Sequence, residues 1–252
     1  MCFSASKKYK PLILIVTAAF ALVLFSSLIP PLLPENIIAQ FPLLHNLPGD
    51  IPAYIFRFLL SFMLLGLFPL ITAYALGETV KSLGLTMPWE FIKSPLFMLL
   101  LVLFVLSGIV SSFFPDIFAY YPYSHTLIVL IKGQGFHWFL VHSFAYLVSY
   151  YLPWELLFRG VLILPFLQFV EEKTSHSLNA GEKEVLFLLV ASFQIIPSSL
   201  LHYGHPLSES LGAVLFGIVA GYMAVKTRSI IPGLIIHSLT GISLDLSIVV
   251  RS

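Results

Sequence analysis

Apolar residues lie along this chain in long blocks, separated by short polar breaks. A helix needs about 20 apolar residues to cross a hydrocarbon core. On that measure the blocks 11–33, 52–76, 95–114, 136–169, 185–203, 208–226 and 229–250 each predict a crossing. The fourth is too long for one straight span. Pro153 predicts that it kinks there, or divides into a span and a tilted continuation. The strongest polar break, "EEKTSHSLNAGEKE" at 171–184, reads as an exposed loop, and "LPENIIAQFPLLHNLPGD" reads as a second, proline-rich one near an interface.

Composition turns the pattern into a class. Of 252 residues, 58% are hydrophobic and 10% are charged, against about 25% charged in soluble domains. Mean hydropathy is +0.97. The expected fold is all-α: a polytopic membrane helix bundle of about seven transmembrane helices, with the lipid bilayer as its first partner. Net charge of +1 offers no basic surface for nucleic acid. The single cysteine, Cys2, excludes an intramolecular disulfide and a cysteine-built zinc site. The first block is long for a signal-peptide core and lacks an obvious small-residue cleavage site, so it reads as a retained span.

Lysine and arginine near span ends set the orientation. Lys7, Lys8 and Lys10 favour a cytoplasmic N-terminus, consistent with a multi-pass protein of the cell membrane. Seven crossings then place Lys81, Lys93, Lys173, Lys183, Lys226 and Arg228 on that same side, with Lys132 and Arg251 as exceptions. Ala213, Gly217 and Gly221, four apart, predict close helix packing in lipid. Arg57 and Glu78 are expected to snorkel or to lie at interfaces.

The candidate chemistry lies in polar residues within apolar blocks. In "PWELLFRG", Glu155 and Arg159 are four apart and meet on one helix face. Each charge at mid-bilayer costs roughly 2.5–3.5 kcal/mol. A salt bridge that locks helices together is one explanation; a site is the other. In "SSLLHYGHPLSES", His202 closes the fifth block, and His205 and Glu209 follow. Pro206 suits the first turn of the next helix, where the dipole favours the Glu209 carboxylate. His205 reads as a boundary or cap residue rather than a ligand. In "PGLIIHSLTGISLDLS", His237 sits in an apolar block with Thr240, Gly241 and Asp245 beyond it. Polar groups converging in lipid line a wet cavity. Two histidines and a carboxylate there can act as general bases, or hold zinc and lower the pKa of its water to about 7. His45, His125, His137, His142 and His176, at loops or span edges, receive no role.

"ELLFRG", a histidine ending a later helix, and "PGLIIH" resemble the CAAX-protease and bacteriocin-processing family, the type II CAAX prenyl endopeptidases and their bacterial relatives, also called the ABI domain. The likeness covers residues 136–247, which would form the catalytic core behind N-terminal transmembrane helices in 1–135. The family pattern is Glu-Glu-x-x-x-Arg, Phe-x-x-x-His and His-x-x-x-Asn. By resemblance its second glutamate and arginine are Glu155 and Arg159, and its histidines are His202 and His237. The resemblance implies a membrane-embedded endopeptidase. The first glutamate and the middle histidine would activate water, and the last histidine and the asparagine would stabilise the oxyanion.

The sequence departs from that pattern at Trp154 for the first glutamate, Ser198 for the phenylalanine and Gly241 for the asparagine. Trp154 removes the expected base, which leaves Glu155 itself or Glu209 from the next helix to serve. Arg159 would hold Glu155, which would orient the water or share it with His202. Zn2+ or another divalent metal held by His202, His237 and Glu155, and metal-independent activation, both remain open. The expected substrates are membrane-associated peptides, prenylated or bacteriocin-like. Two further readings stand beside the endopeptidase: a silent relative that binds or chaperones a membrane partner, and a small transporter with a proton relay. The transporter lacks the paired broken helices that it would be expected to show.

Overall fold

The computed structural model describes residues 2–28, 47–122, 124–174 and 178–252, with residues 2–8 described by their backbone alone. Most of these residues are helical, with no strand among them. We number the main helices α1 (Cys2–Leu28), α2 (Ile51–Ala75), α3 (Pro95–Ser111), α4 (Pro115–Tyr120), α5 (His125–Gln134), α6 (His137–Thr174), α7 (Ala180–Leu200), α8 (Leu207–Thr227) and α9 (Ile231–Arg251). Six of them, α1, α2 and α6 to α9, are long and apolar enough to cross a membrane. Leu12, Val16, Leu99, Leu103, Leu215 and many similar side chains stay exposed on their outer faces, as expected where lipid replaces water.

The expected seventh crossing, 95–114, is shorter than predicted. Its helix, α3, has 17 residues, about 25 Å at 1.5 Å per residue. Ser94 caps its start by accepting from the Phe97 N–H at 3.2 Å. Beyond Ser111 the chain turns at once into α4, so the apolar run "FF" at 113–114 lies outside the helix.

The polar break at 171–184 is also mostly helix rather than loop. α6 continues to Thr174 and α7 starts at Ala180. Charge alone does not break a helix, and here the polar residues are suited to helix ends. Asn179 accepts from the Glu182 N–H at 3.0 Å, while Glu182 accepts from the Asn179 N–H at 2.9 Å, forming a capping box. Residues 175–177, including His176, lie outside the described residues, as does 33–46 of the proline-rich segment with His45.

α6 passes Pro153 itself without a break, and its helical pattern is interrupted further on, by a turn at Leu162 and Ile163. Wide π-type turns at Leu147–Tyr151 and Leu156–Val161 bracket the proline, which cannot donate a backbone bond. His142, Tyr146, Tyr150, Trp154 and Phe158 form a continuous ladder of rings along this helix, with successive centroids 5.3, 5.1, 5.6 and 5.1 Å apart. That ladder fixes the rotation of α6 and turns Glu155 and Arg159 inward, 0% and 1% exposed.

The small residues of α8 serve as expected: Gly217 packs on Ile195, and its carbonyl accepts from Gln194 Nε2 at 2.9 Å, joining α8 to α7. Glu78 departs from expectation. It is 2% exposed and ion-paired with Lys10, tying the start of α1 to the end of α2. The nearby lysine and the Ser82 hydroxyl allow its burial.

Candidate functional site

Helices α3, α6, α8 and α9 and the end of α7 enclose a cavity of about 170 Å³ whose lining includes Trp154, Arg159, His202, Glu209, Phe216 and His237. A smaller lobe of about 60 Å³ shares Trp154, His202, Glu209 and His237 and extends towards Tyr151, Gly241 and Asp245. Four residues singled out in the sequence therefore line the space directly: Arg159, His202, Glu209 and His237. Glu155 does not line it.

Glu155 lies behind His237. Its Oε1 accepts from His237 Nδ1 at 2.8 Å and from Arg159 Nη1 at 3.2 Å. The donation from Nδ1 fixes the tautomer of His237 and leaves Nε2 as its acceptor. Arg159 in turn lies against the Phe216 ring, 5.1 Å from its centroid. Glu155 Oε2 is buried with no hydrogen-bond partner. Gly233 explains how α9 comes this close: a Cβ there would lie 2.9 Å from Glu155 Oε2. The expectation that Glu155 shares a water with His202 gives way to a different geometry, in which Glu155 acts on His237 and is sealed from the cavity.

The other side of the cavity is built from the α7–α8 connection. His202 Nδ1 donates to the Ser198 carbonyl at 2.9 Å, one helical turn back. Burial holds the pKa of His202, just beyond the end of α7, well below its ordinary value, down to about 4, despite the Glu209 carboxylate beside it. The ring is thus neutral at pH 7. Glu209 Oε1 accepts from His205 Nδ1 at 2.8 Å and from the Tyr121 hydroxyl at 2.7 Å, and lies 3.8 Å from His202 Nε2. His205 thus joins the site rather than merely marking the helix boundary. The zinc set expected from the sequence, His202, His237 and Glu155, is not the set brought together: His237 and Glu155 bond to one another, and the donors gathered around His202 are His205 and Glu209.

Trp154, where the pattern resembled has glutamate, stands between the two sides. Its ring stacks on Tyr150 and presents an edge-to-face contact to His202 at 5.5 Å and to His237 at 6.4 Å. Gly241, where the pattern resembled has asparagine, is set by packing. A Cβ there would come within 1.7 Å of the Tyr151 hydroxyl. The tyrosine hydroxyl occupies the room a larger side chain would need. Tyr151 is hydrogen-bonded to Tyr146 and lies one face-turn before Trp154 on α6.

His142, given no role from sequence, is buried at 3% exposure in a second constellation. It bonds Tyr54 Oη through Nδ1 at 2.6 Å and Asp245 Oδ2 through Nε2 at 3.0 Å. A histidine and an aspartate 103 positions apart are joined only by the fold; the polar residues within apolar blocks were the available signal. Asp245 also borders the smaller lobe.

The chain matches no protein-family model, no curated protein and no solved structure.

Proposed function

We propose that this protein is a membrane-embedded hydrolase that cleaves peptide bonds of membrane-associated substrates, in the manner of the CAAX-protease family its motifs resemble. The observation that carries this reading is the shared cavity: His202 and Glu209 border one side and His237 borders the other, between helices suited to a bilayer. Water is admitted beside Glu209 and the free Nε2 of His202; one of the two takes its proton as the oxygen bonds to the carbonyl carbon, and returns that proton to the amide nitrogen as the C–N bond breaks and the amine leaves. The carbonyl oxygen, as it gains charge, is met by the groups opposite. There the Tyr151 hydroxyl stands where the family pattern has asparagine, and His237, once protonated, donates through Nε2. Glu155 supports that protonation through its bond to His237 Nδ1 and is a positioning residue. Arg159 neutralises Glu155 and keeps it in place. The apolar lining of Phe104, Phe216 and Leu244 suits a lipid-exposed or lipidated peptide.

A second reading is favoured by Trp154. A bulky indole between the two histidines suits a binding pocket without chemistry, in a relative that holds or chaperones a membrane partner. The two are separated by comparing newly formed peptide termini in membranes of cells expressing wild type or Glu209→Gln at equal protein level. Termini formed only with the wild type support cleavage and name the substrate. A biological function that survives Glu209→Gln with no change in termini supports the binding role instead.

A further inference from the structure

We infer that His202, His205 and Glu209 form a binding site for one divalent cation of the zinc and cobalt class. The ion's use in catalysis rests on the hydrolytic reading above; its binding does not. One donor atom from each of these residues lies within 4.8 Å of the others. Their spacing, His-x-x-His-x-x-x-Glu, brings all three from the short α7–α8 connection and the first turn of α8.

The hydrogen bonds around them point the same way. His202 gives its Nδ1 proton to the Ser198 carbonyl, so Nε2 carries a lone pair. That lone pair faces Glu209 Oε1 across 3.8 Å, too far for a shared proton. The two atoms stand at a separation that a cation can bridge, with no direct hydrogen bond between them. Glu209 Oε2 is buried without a partner and offers a further donor. An ion entering here takes the place of the proton that His205 Nδ1 now gives to Glu209; the imidazole keeps that proton on Nε2, and Nδ1 becomes the donor atom. The outer partners are also in place: the Ser198 carbonyl orients His202, and the Tyr121 hydroxyl holds Glu209.

The donor types select the ion. Two imidazoles and one carboxylate suit zinc, cobalt or nickel, whereas magnesium and calcium prefer an all-oxygen shell. Three protein ligands leave one tetrahedral position open for water. His202 and Glu209 both border the 170 Å³ cavity, so the open position has room there. When bound, the ion would supply a water acidified to a pKa of about 7. Glu155 and His237 are not ligands in this scheme, because Glu155 is sealed from the cavity and the donor atoms gathered within 4.8 Å of one another are those of His202, His205 and Glu209.

The full-length protein in detergent, stripped with a chelator and freed of it, is titrated with Co2+ and followed by visible absorption, with Zn2+ as competitor. One equivalent of Co2+ is expected, displaced by Zn2+. His205→Ala and Glu209→Gln should each weaken binding by more than the roughly 100-fold that loss of an outer-shell partner costs. His237→Ala and Glu155→Gln should change it only a few-fold. X-ray absorption at the cobalt edge of the wild type needs no folded variant and should show two imidazole ligands. No uptake by the wild type, fewer than two imidazoles, or binding lost in His237→Ala and kept in His205→Ala overturns the site. Hydrolysis by stripped protein that takes up no Co2+ overturns this inference and leaves the hydrolytic reading standing. Uptake with the expected ligand pattern in a protein that cuts nothing supports the site and removes the hydrolytic role.

Discussion

Glu155 and Glu209 are two carboxylates beside one cavity, each bonded to a histidine, yet their surroundings differ. Glu155 is fully buried, accepts from an arginine four residues on, and is sealed behind His237. Glu209 is partly exposed, accepts from His205 and Tyr121, and borders the cavity itself. A charge that cannot reach water must be neutralised by the protein, so the Glu155 side is bound to the fold. A carboxylate facing a cavity can exchange partners, so the Glu209 side is free to meet water, an ion or a substrate. The pair teaches that the more conspicuous charge in the sequence is the structural support and the less conspicuous one is placed to react.

The largest effect that should follow from this contrast is on stability. Glu155→Ala leaves the Arg159 guanidinium buried with no counter-ion, and losing one partner of a buried pair costs about 3–5 kcal/mol. Thermal unfolding in detergent should show a collapse in stability, with Glu155→Gln milder because the amide oxygen still accepts. An Ala variant as stable as wild type would mean that Glu155 and Arg159 do not depend on one another. Gly241→Ala comes next. The added methyl must displace the Tyr151 ring, an overpacking worth about 1–3 kcal/mol. The same change in a Tyr151→Phe background should cost less, and strictly additive costs in a double-mutant cycle would contradict the contact.

Glu209→Gln should have a smaller effect on folding, about 1 kcal/mol for the altered hydrogen bonds, while removing hydrolysis. Unfolding and activity measured on the same preparation check that separation: a variant that unfolds as Glu155→Ala does would erase the difference between the two sides. The smallest effect belongs to Asp50, outside the membrane spans. Burial pulls its pKa up, but hydrogen bonds from Thr126 and Ser124 and from the backbone of His125 and Thr126 outweigh this and leave it below the usual 3.8. A lowered folded-state value contributes stability above pH 3.8, and that contribution is lost as pH falls through the folded-state value. Asp50→Asn should flatten this part of the acid-unfolding profile and leave stability at pH 9 nearly as sensitive to pH as before.

The long spans were legible because hydropathy reports transfer into lipid, which acts on each block separately. Where helix ends are set by capping, as at Asn179 and Glu182, charge misled and the helices run further than polarity suggests. Glu155 and Arg159 were legible as a pair because four residues is local geometry. The placing of Glu155 behind His237, away from the cavity that Arg159 still lines, was not, because the ring ladder and the close approach of Gly233 set it. His205 could have been read from its spacing to His202 and Glu209, had Pro206 not suggested a break between them. Tyr121, Tyr151 and His142 were not legible at all, since their partners lie 88, 90 and 103 positions away. Trp154 and Gly241 are each explained locally by packing: one indole stacks in the ladder, and one tyrosine hydroxyl fills the space that a side chain at 241 would need.

The most direct test of hydrolysis at this cavity is oxygen transfer from solvent. Reconstituted protein and membrane peptides from cells expressing it are incubated in ¹⁸O-labelled water, and new C-termini are analysed by mass spectrometry. Attack by water predicts one ¹⁸O in each carboxyl group newly formed by the wild type, and no such termini with Glu209→Gln at equal protein level. Labelled termini that form equally with Glu209→Gln, or a wild type that forms none from the peptides of its own membrane, would contradict the account.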